Sequence, residues 1–256
     1  MSIPMTFPTD LRVITLAERP DLEPAMLDME ATWPEYIRPD PVVVGWAFER
    51  YARHQIMVLD DESPVDTVVA RAATVPFTWD GDPASLPDTG WDEALRMSML
   101  DTYDGREPNT LCALEVAVVP GRRARNLSGR TLAAVADNAR RHGFRDVVVP
   151  VRPSMKHLEP HVPMAEYVAR TRADGLPADP WLRVHVREGG QVLKVCPVSM
   201  TISGSLAQWR GWTGLPFDTS GSVTLPGALN PVDVSVGHDR AVYVEPNVWV
   251  RHRLVP

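Results

Sequence analysis

Apolar positions along the chain recur with two periods, near 3.6 and near 2, and their alternation outlines the fold. Residues 11–16 (LRVITL) read as a first strand and residues 19–30 as a helix with Leu22, Met26 and Met29 on one side. Residues 44–54 (VGWAFERYARH) predict a second helix. Two extended runs follow, IMVLD at 56–60 and TVVARAATVPF at 67–77, and the acidic turn DESP between them signals a hairpin. Residues 78–92 read as loop and 93–100 as a helix.

The best-defined unit comes next. Residues 111–119 read as a strand, 128–142 as a helix and 146–151 (DVVVPV) as a second strand. In the helix, Leu132, Val135, Ala136 and Ala139 form one apolar stripe, Arg140, Arg141 and His142 fill the last turn, and Gly143 supplies the stop. Strand–helix–strand at this spacing implies a crossover between parallel strands. Pro150 breaks the pattern, because it cannot donate to a ladder. It fits either an edge or strand end, or a place where two neighbouring strands part.

Beyond 153 come a short helix in MAEYVARTRADG, the segment DPWLRVHVREGG, a strand QVLKVCPV, and a helix or tight turn in SLAQWRGWTG. A hairpin in VDVSV–GHDR–AVYVE and a last run NVWVRHRL follow. Strands and helices intermix throughout, so the fold class is α+β, or mixed α/β.

Composition narrows the picture. The 256 residues are 44% hydrophobic and 23% charged, ordinary for a soluble protein with a well-buried core. The net charge of −7 argues against a nucleic-acid partner, whose affinity would rest on a broad basic face. No apolar run approaches the roughly 20 residues that span a bilayer, and no basic segment precedes an apolar one at the start, so a cytoplasmic protein without membrane contact is expected. Cys112 and Cys196 sit in apolar stretches and read as small buried hydrophobes. No His, Cys or carboxylate set has ligand spacing, so no metal is expected.

One cluster stands out. EVAVVPGRRARNLSGR, residues 115–130, crowds Arg122, Arg123, Arg125 and Arg130 ahead of a helix, where cations face the positive end of its dipole. A strand end leading into a helix N-terminus is an anion site, and arginines there would grip phosphate oxygens. A solvated cluster is the plainer alternative.

The same stretch resembles the pyrophosphate-binding motif of the GNAT acyltransferase superfamily, a strand ending in Val-x-Pro and then Gln/Arg-x-x-Gly-x-Gly/Ala running into a helix. Here Val118 and Pro120 end the strand, Arg123 takes the Gln/Arg place, Asn126 the first Gly and Ser128 the Gly/Ala. The resemblance is clearest over 111–152. Asn126 departs from it, although Asn tolerates the left-handed conformation better than other non-glycine residues do. Ser128 could also cap the helix.

The resemblance implies a GNAT-like central twisted mixed sheet flanked by helices, with additional C-terminal strands. It implies one enlarged domain: 1–110 as N-terminal strands and helices, 111–152 as the acyl-CoA cradle, and 153–256 completing the sheet and the acceptor side. The cosubstrate would be acetyl-CoA or another acyl-CoA, held by Val118, Val119, Arg123, Ala124, Arg125, Asn126, Leu127, Ser128 and Gly129. The pantetheine arm would pair with the edge opened between two splayed strands, which would account for Pro150.

The implied reaction is N-acyl transfer, most readily N-acetyl transfer, to a small-molecule amine by direct attack in a ternary complex. Glu115, five residues before Pro120, stands where many GNAT enzymes carry a general-base glutamate; it also reads as an outward residue of a half-exposed strand. His185, four residues before Gly189, stands where a general-acid tyrosine is common, and a structural histidine is its other reading. Tyr167 is a second candidate acid on a helix amphipathic enough for ordinary packing. Lys156 and His157 read as a solvated loop within reach of the ligand. Trp181, Trp209, Trp212 and Trp249 suit either core or pocket wall, as Glu245, Asn247 and His252 suit either pocket or strand end. Two rivals stay open: a GNAT-like decarboxylase or carrier-protein S-acyltransferase built on His185, and a silent CoA-binding module whose loop Asn126 has compromised. The apolar C-terminal strands leave room for a homodimer.

Overall fold

Strand β4 (Thr110–Val118) and strand β5 (Asp146–Val151) organise the molecule, because they run parallel and then part. Their pairing covers only Thr110–Cys112 against Asp146–Val148, while both strands continue beyond it. Pro150 lies past the last pair, where no β4 amide or carbonyl stands opposite, so its missing N–H leaves nothing unsatisfied there. Of the two settings open to Pro150, the parting of strands is the one found. The structure is a computed structural model and describes residues 11–29, 33–63, 65–121 and 126–254.

Around this pair the described residues form a sheet of nine strands. An antiparallel run β1 (Leu11–Thr15), β2 (Ile56–Asp60), β3 (Thr67–Phe77) leads to β4. On the far side β5 pairs with β9 (Arg240–Arg253). Strand β6 (Gln191–Gly204) runs along one edge of β9, from Arg251 to Ala241. Strand β5 and strand β8 (Val232–Ser235) therefore share the other edge, and the short β7 (Gly221–Val223) extends β8. The predicted C-terminal hairpin forms between β8 and β9, and its second strand continues into the predicted last run as one strand of 14 residues.

Period-two burial fixes which helix covers which face. Leu111 and Ala113 of β4 pack with Val147, Val149 and Val151 of β5 against helix α4 (Leu127–Arg141), through its Leu132, Val135 and Ala139. Cys112, Leu114 and Val148 point the other way, toward Leu95 of helix α3 (Gly90–Asp104) and Ala47 of helix α2 (Pro41–Arg50). Strand β5 is buried at every position because both faces are covered. Each fully buried Leu or Val in these layers contributes about 1.5–3 kcal/mol.

Several elements differ from expectation. The predicted helix at 19–30 is a 3-10 turn followed by a short helix, α1 (Glu23–Asp28), with Met26 fully buried. Pro24 sits at its start, where a missing N–H costs least. Helix α3 starts three residues before Glu93 and displaces the end of the predicted loop. In the C-terminal half, helices α5 (Met164–Val168), α6 (Pro180–Arg187) and α7 (Leu206–Thr213) are short, and α6 and α7 are capped locally. Asp179 caps α6 through the amides of Trp181 and Leu182, and Ser205 with Gln208 forms a capping box on α7. Lys156 is fully buried, its Nζ donating to the carbonyls of Glu159 and Leu229 at 2.8 and 2.7 Å, so the loop reading fails for it. Trp209 and Trp249 are fully buried core residues.

Candidate active site

A cleft opens where β4 and β5 part. Its cavity, about 640 Å³, is lined by Val116–Val118 of β4, by Asn126 and Ser128 at the start of α4, and across from them by Arg152, His157 and Trp181. The Val119 amide donates to the Val69 carbonyl of β3. Strand alternation then turns the N–H and C=O groups of Val118 and Val116 the other way, toward the cleft, where no strand faces them. A ligand with its own amides can complete that edge.

The start of α4 supplies the other end of the cleft. Asn126 adopts the left-handed conformation, with φ +53° and ψ +33°. It is thus the helix-capping residue, makes no side-chain cap bond, and displaces Ser128 from that role. The Arg130 amide already donates to the Asn126 carbonyl, so the amides of Leu127, Ser128 and Gly129 form the open first turn. Gly129 has little room: a Cβ there would stand 3.0–3.1 Å from the Asn126 side chain and Glu188 Oε1. The side chain of Leu127 is buried in the core, so only its backbone faces the opening. Arg122, Arg123, Ala124 and Arg125 lie outside the described residues.

A second cavity, about 280 Å³, lies beside the β4 bulge. The register slips between Ala73↔Glu115 and Thr74↔Ala113, leaving Leu114 as the extra residue, and its carbonyl accepts from Trp91 Nε1 at 3.0 Å. The walls are largely apolar, with Val44, Phe48, Leu95, Leu114 and Met200 among them. Glu115 is set into this wall. Arg71 on β3 grips its carboxylate through Nε and Nη2, at 3.0 and 3.1 Å, and Trp33 Nε1 donates to Oε1 at 2.6 Å. Trp33 lines both cavities and marks where they meet. The Arg152 guanidinium lies 5.9 Å from its ring centroid, within cation–π range.

Other predicted site residues lie elsewhere. Tyr167 is buried, and its hydroxyl donates to Asp179 Oδ2 at 2.9 Å, which supports the cap of α6. Burial, with Asp179 beside it, pushes the phenol well above its usual range, so a general-acid role is not what this setting favours. His185 faces inward from α6 with no exposure, its Nδ1 3.0 Å from Nε2 of His252 and its Nε2 without a partner. Burial and the neighbouring His252 hold it well below the ordinary histidine value, so it is neutral and shut away from the cleft, although Trp181 and Val184 of the same helix line it. Glu245 and Asn247 are also buried: Glu245 accepts from Arg152 Nε at 3.0 Å and from the Tyr243 hydroxyl at 2.9 Å. Val119, with its amide turned to β3, does not line the cleft. Among the described residues no three His, Cys, Asp or Glu side chains gather into a metal-binding group, and no helix is long and apolar enough to cross a membrane.

Arg71, Trp33 and Arg152 are site residues that the sequence reading missed. Arg71 carried a usable signal. It is the lone charge in the run TVVARAATVPF, as Glu115 is in LCALEVAVV, and two adjacent antiparallel strands with one opposite charge each invite a cross-strand pair.

No protein-family model matches the chain. It is 35% identical to the arginine N-acetyltransferase avaD of Aspergillus versicolor, over 98% of this chain and 97% of that protein. Among solved structures it resembles the loading GNATL domain of CurA from Lyngbya majuscula, with a TM-score of 0.60 and 16% identity over 95% of this chain and 96% of that one. The GphF GNAT-like decarboxylase, solved with isobutyryl-CoA, gives 0.59 and 18% over 96% and 99%. At these identities the two structures speak for the fold alone.

Proposed function

The chain belongs to the GNAT superfamily and is an acyl-CoA-dependent N-acetyltransferase, and from that premise we propose that its acceptor is arginine or a close analogue, met by acetyl-CoA at Trp33. The observation that carries this reading is the meeting of two cavities at one residue, a long cleft with an open strand edge and an apolar pocket with a carboxylate in its wall. Arginine is the acceptor named for the 35%-identical relative.

Acetyl-CoA supplies the activated carbonyl. Its pantetheine amides pair with the free edge at Val116 and Val118, and its pyrophosphate rests on the amides of Leu127, Ser128 and Gly129, which Asn126 aims by its left-handed turn. Arg123 and Arg125 answer the remaining phosphate charge. The acceptor enters the pocket as an ammonium, and Glu115 takes one proton from it, directly or through one water. The neutral nitrogen attacks the thioester carbonyl, the C–N bond forms, the nitrogen gives up its remaining extra proton to solvent, the C–S bond breaks and CoA leaves as thiolate. A thiol of pKa about 8.5 is a fair leaving group, so solvent can return its proton without a dedicated acid. The rival built on His185 loses its residue, which is buried and neutral. The silent-module rival rested on Asn126, which holds the conformation that the loop needs.

Thiol release with acetyl-CoA across a panel of amines, with mass spectrometry of the product, tests the proposal. Arginine is expected to be the best acceptor and to gain one acetyl group. Turnover of other amines with none of arginine would sink the acceptor assignment.

A further inference from the structure

The acceptor pocket does not end at its apolar wall. A third cavity, about 330 Å³, shares Ile37, Pro39, Trp91, Leu95 and Met200 with it, so the two form one trough. Glu115 stands at the inner part and Asp92 at the outer part.

Asp92 is placed there by the packing of α3 on β6. Gly90 begins α3 at φ +24°, and a Cβ on it would come within 2.3 Å of Ser199 Oγ. That close approach lets Ser199 Oγ accept from the Trp91 amide at 2.9 Å, and the Thr201 amide then donates to Asp92 Oδ2 at 3.1 Å. Among the described residues Asp92 Oδ1 accepts no hydrogen bond and Asp92 makes no ion pair. The other charged groups lining this end are committed elsewhere. Arg96 is paired with Glu93, and Arg38 donates to the Glu35 carbonyl and lies over Trp212. Asp40, exposed, caps α2 through the Val42 amide. Asp92 is exposed at the outer end of the trough, and partial burial of its carboxyl raises it to about 6, with no cation to offset the effect.

We infer that Asp92 is the specificity residue for the distal cation of the acceptor: the guanidinium of an arginine-like substrate binds at Asp92, its methylenes lie along Trp91, Leu95 and Met200, and its α-amine reaches Glu115. This rests on the arginine reading above and deepens it by fixing orientation and by naming which part of the substrate is recognised. A carboxylate and a guanidinium form a charge-assisted, bidentate pair, and the apolar trough between the two carboxylates suits a methylene chain.

The test compares L-arginine with L-citrulline, which replaces the guanidinium by a neutral ureido group of similar shape. Wild-type enzyme is expected to prefer arginine in kcat/KM. Asp92→Asn keeps an acceptor for the Thr201 amide but loses the charge, and should reduce that preference by roughly 10- to 100-fold, the range of a hydrogen bond to a charged group. Most of the change should appear in KM for arginine, with KM for acetyl-CoA unmoved and the melting temperature retained. Asp92→Glu should recover part of the preference. An Asp92→Asn enzyme that turns over arginine with its preference intact overturns the inference while leaving the function in place. A wild-type enzyme that acetylates other amines but not arginine overturns the acceptor reading itself.

Discussion

Trp33 Nε1 donates to Glu115 Oε1 at 2.6 Å across 82 positions of sequence, and this bond stands where the cleft meets the acceptor pocket. Because Arg71 holds the same carboxylate, Glu115 is fixed in place before any substrate arrives.

The base assignment predicts a loss confined to the chemical step. Glu115→Gln keeps the size and one acceptor oxygen but cannot take a proton, so kcat should fall roughly 10²- to 10⁴-fold with KM for acetyl-CoA unchanged. Steady-state thiol release measures both. Wild-type kcat in this variant removes Glu115 from the chemistry.

Arg71 and Glu115 are only 10% and 13% exposed, so removing one leaves the other buried without its counter-ion. Arg71→Ala should cost about 3–5 kcal/mol. Replacing both by apolar residues should cost less than Arg71→Ala alone. Denaturant titration of the two singles and the double decides it.

The left-handed turn at Asn126 predicts a residue-specific effect on cosubstrate binding. Asn126→Gly should retain acetyl-CoA affinity, since glycine takes φ +53° freely. Asn126→Val meets a strain of about 1–2 kcal/mol and should weaken binding by roughly tenfold. Calorimetry on both variants reads the difference.

Tyr167→Phe removes the hydroxyl that supports Asp179. The expected cost is about 1 kcal/mol of stability, with kcat unchanged. A large drop in kcat at unchanged stability would return Tyr167 to the chemistry.

Stability should fall on mild acidification. Burial, above all, lowers both His54 and His252 to about 4. The unfolded chain takes up those protons near pH 6.5, so each histidine contributes stability that is present above 6.5 and lost toward 4, at about 1.4 kcal/mol per pH unit. Asp92, raised to about 6, acts in the opposite sense below that value, as does the raised Glu188, while His185, held well below the ordinary histidine value, adds to His54 and His252. Urea titrations at pH 7 and pH 5 should therefore show a lower unfolding free energy at pH 5.

How far the sequence reaches depends on what each element leans on. Strands β2, β3 and β5 have the predicted limits because turn residues bound continuous apolar runs. Helix α4 was legible because its stripe and its Gly143 stop are local. His185 shows the opposite case. Its spacing from Gly189 fits a cleft acid, but the rotation of α6 against β9 turns it toward His252, 67 residues away, and no local pattern records that rotation. Trp33 and Arg152 were equally illegible, since each acquires its place only from partners in distant elements.

The long β9 has a consequence for how the chain is made. Strands β5, β6 and β8 all precede it in sequence, yet each pairs directly with it. A growing chain that has emerged from the ribosome as far as residue 239 must hold those three strands without their common neighbour, with β5 joined only to the short β4 pairing at Thr110–Cys112. Synthesis of β9 then closes several ladders within one stretch of translation. That order sets a late, cooperative folding step and an interval in which open strand edges invite chaperones.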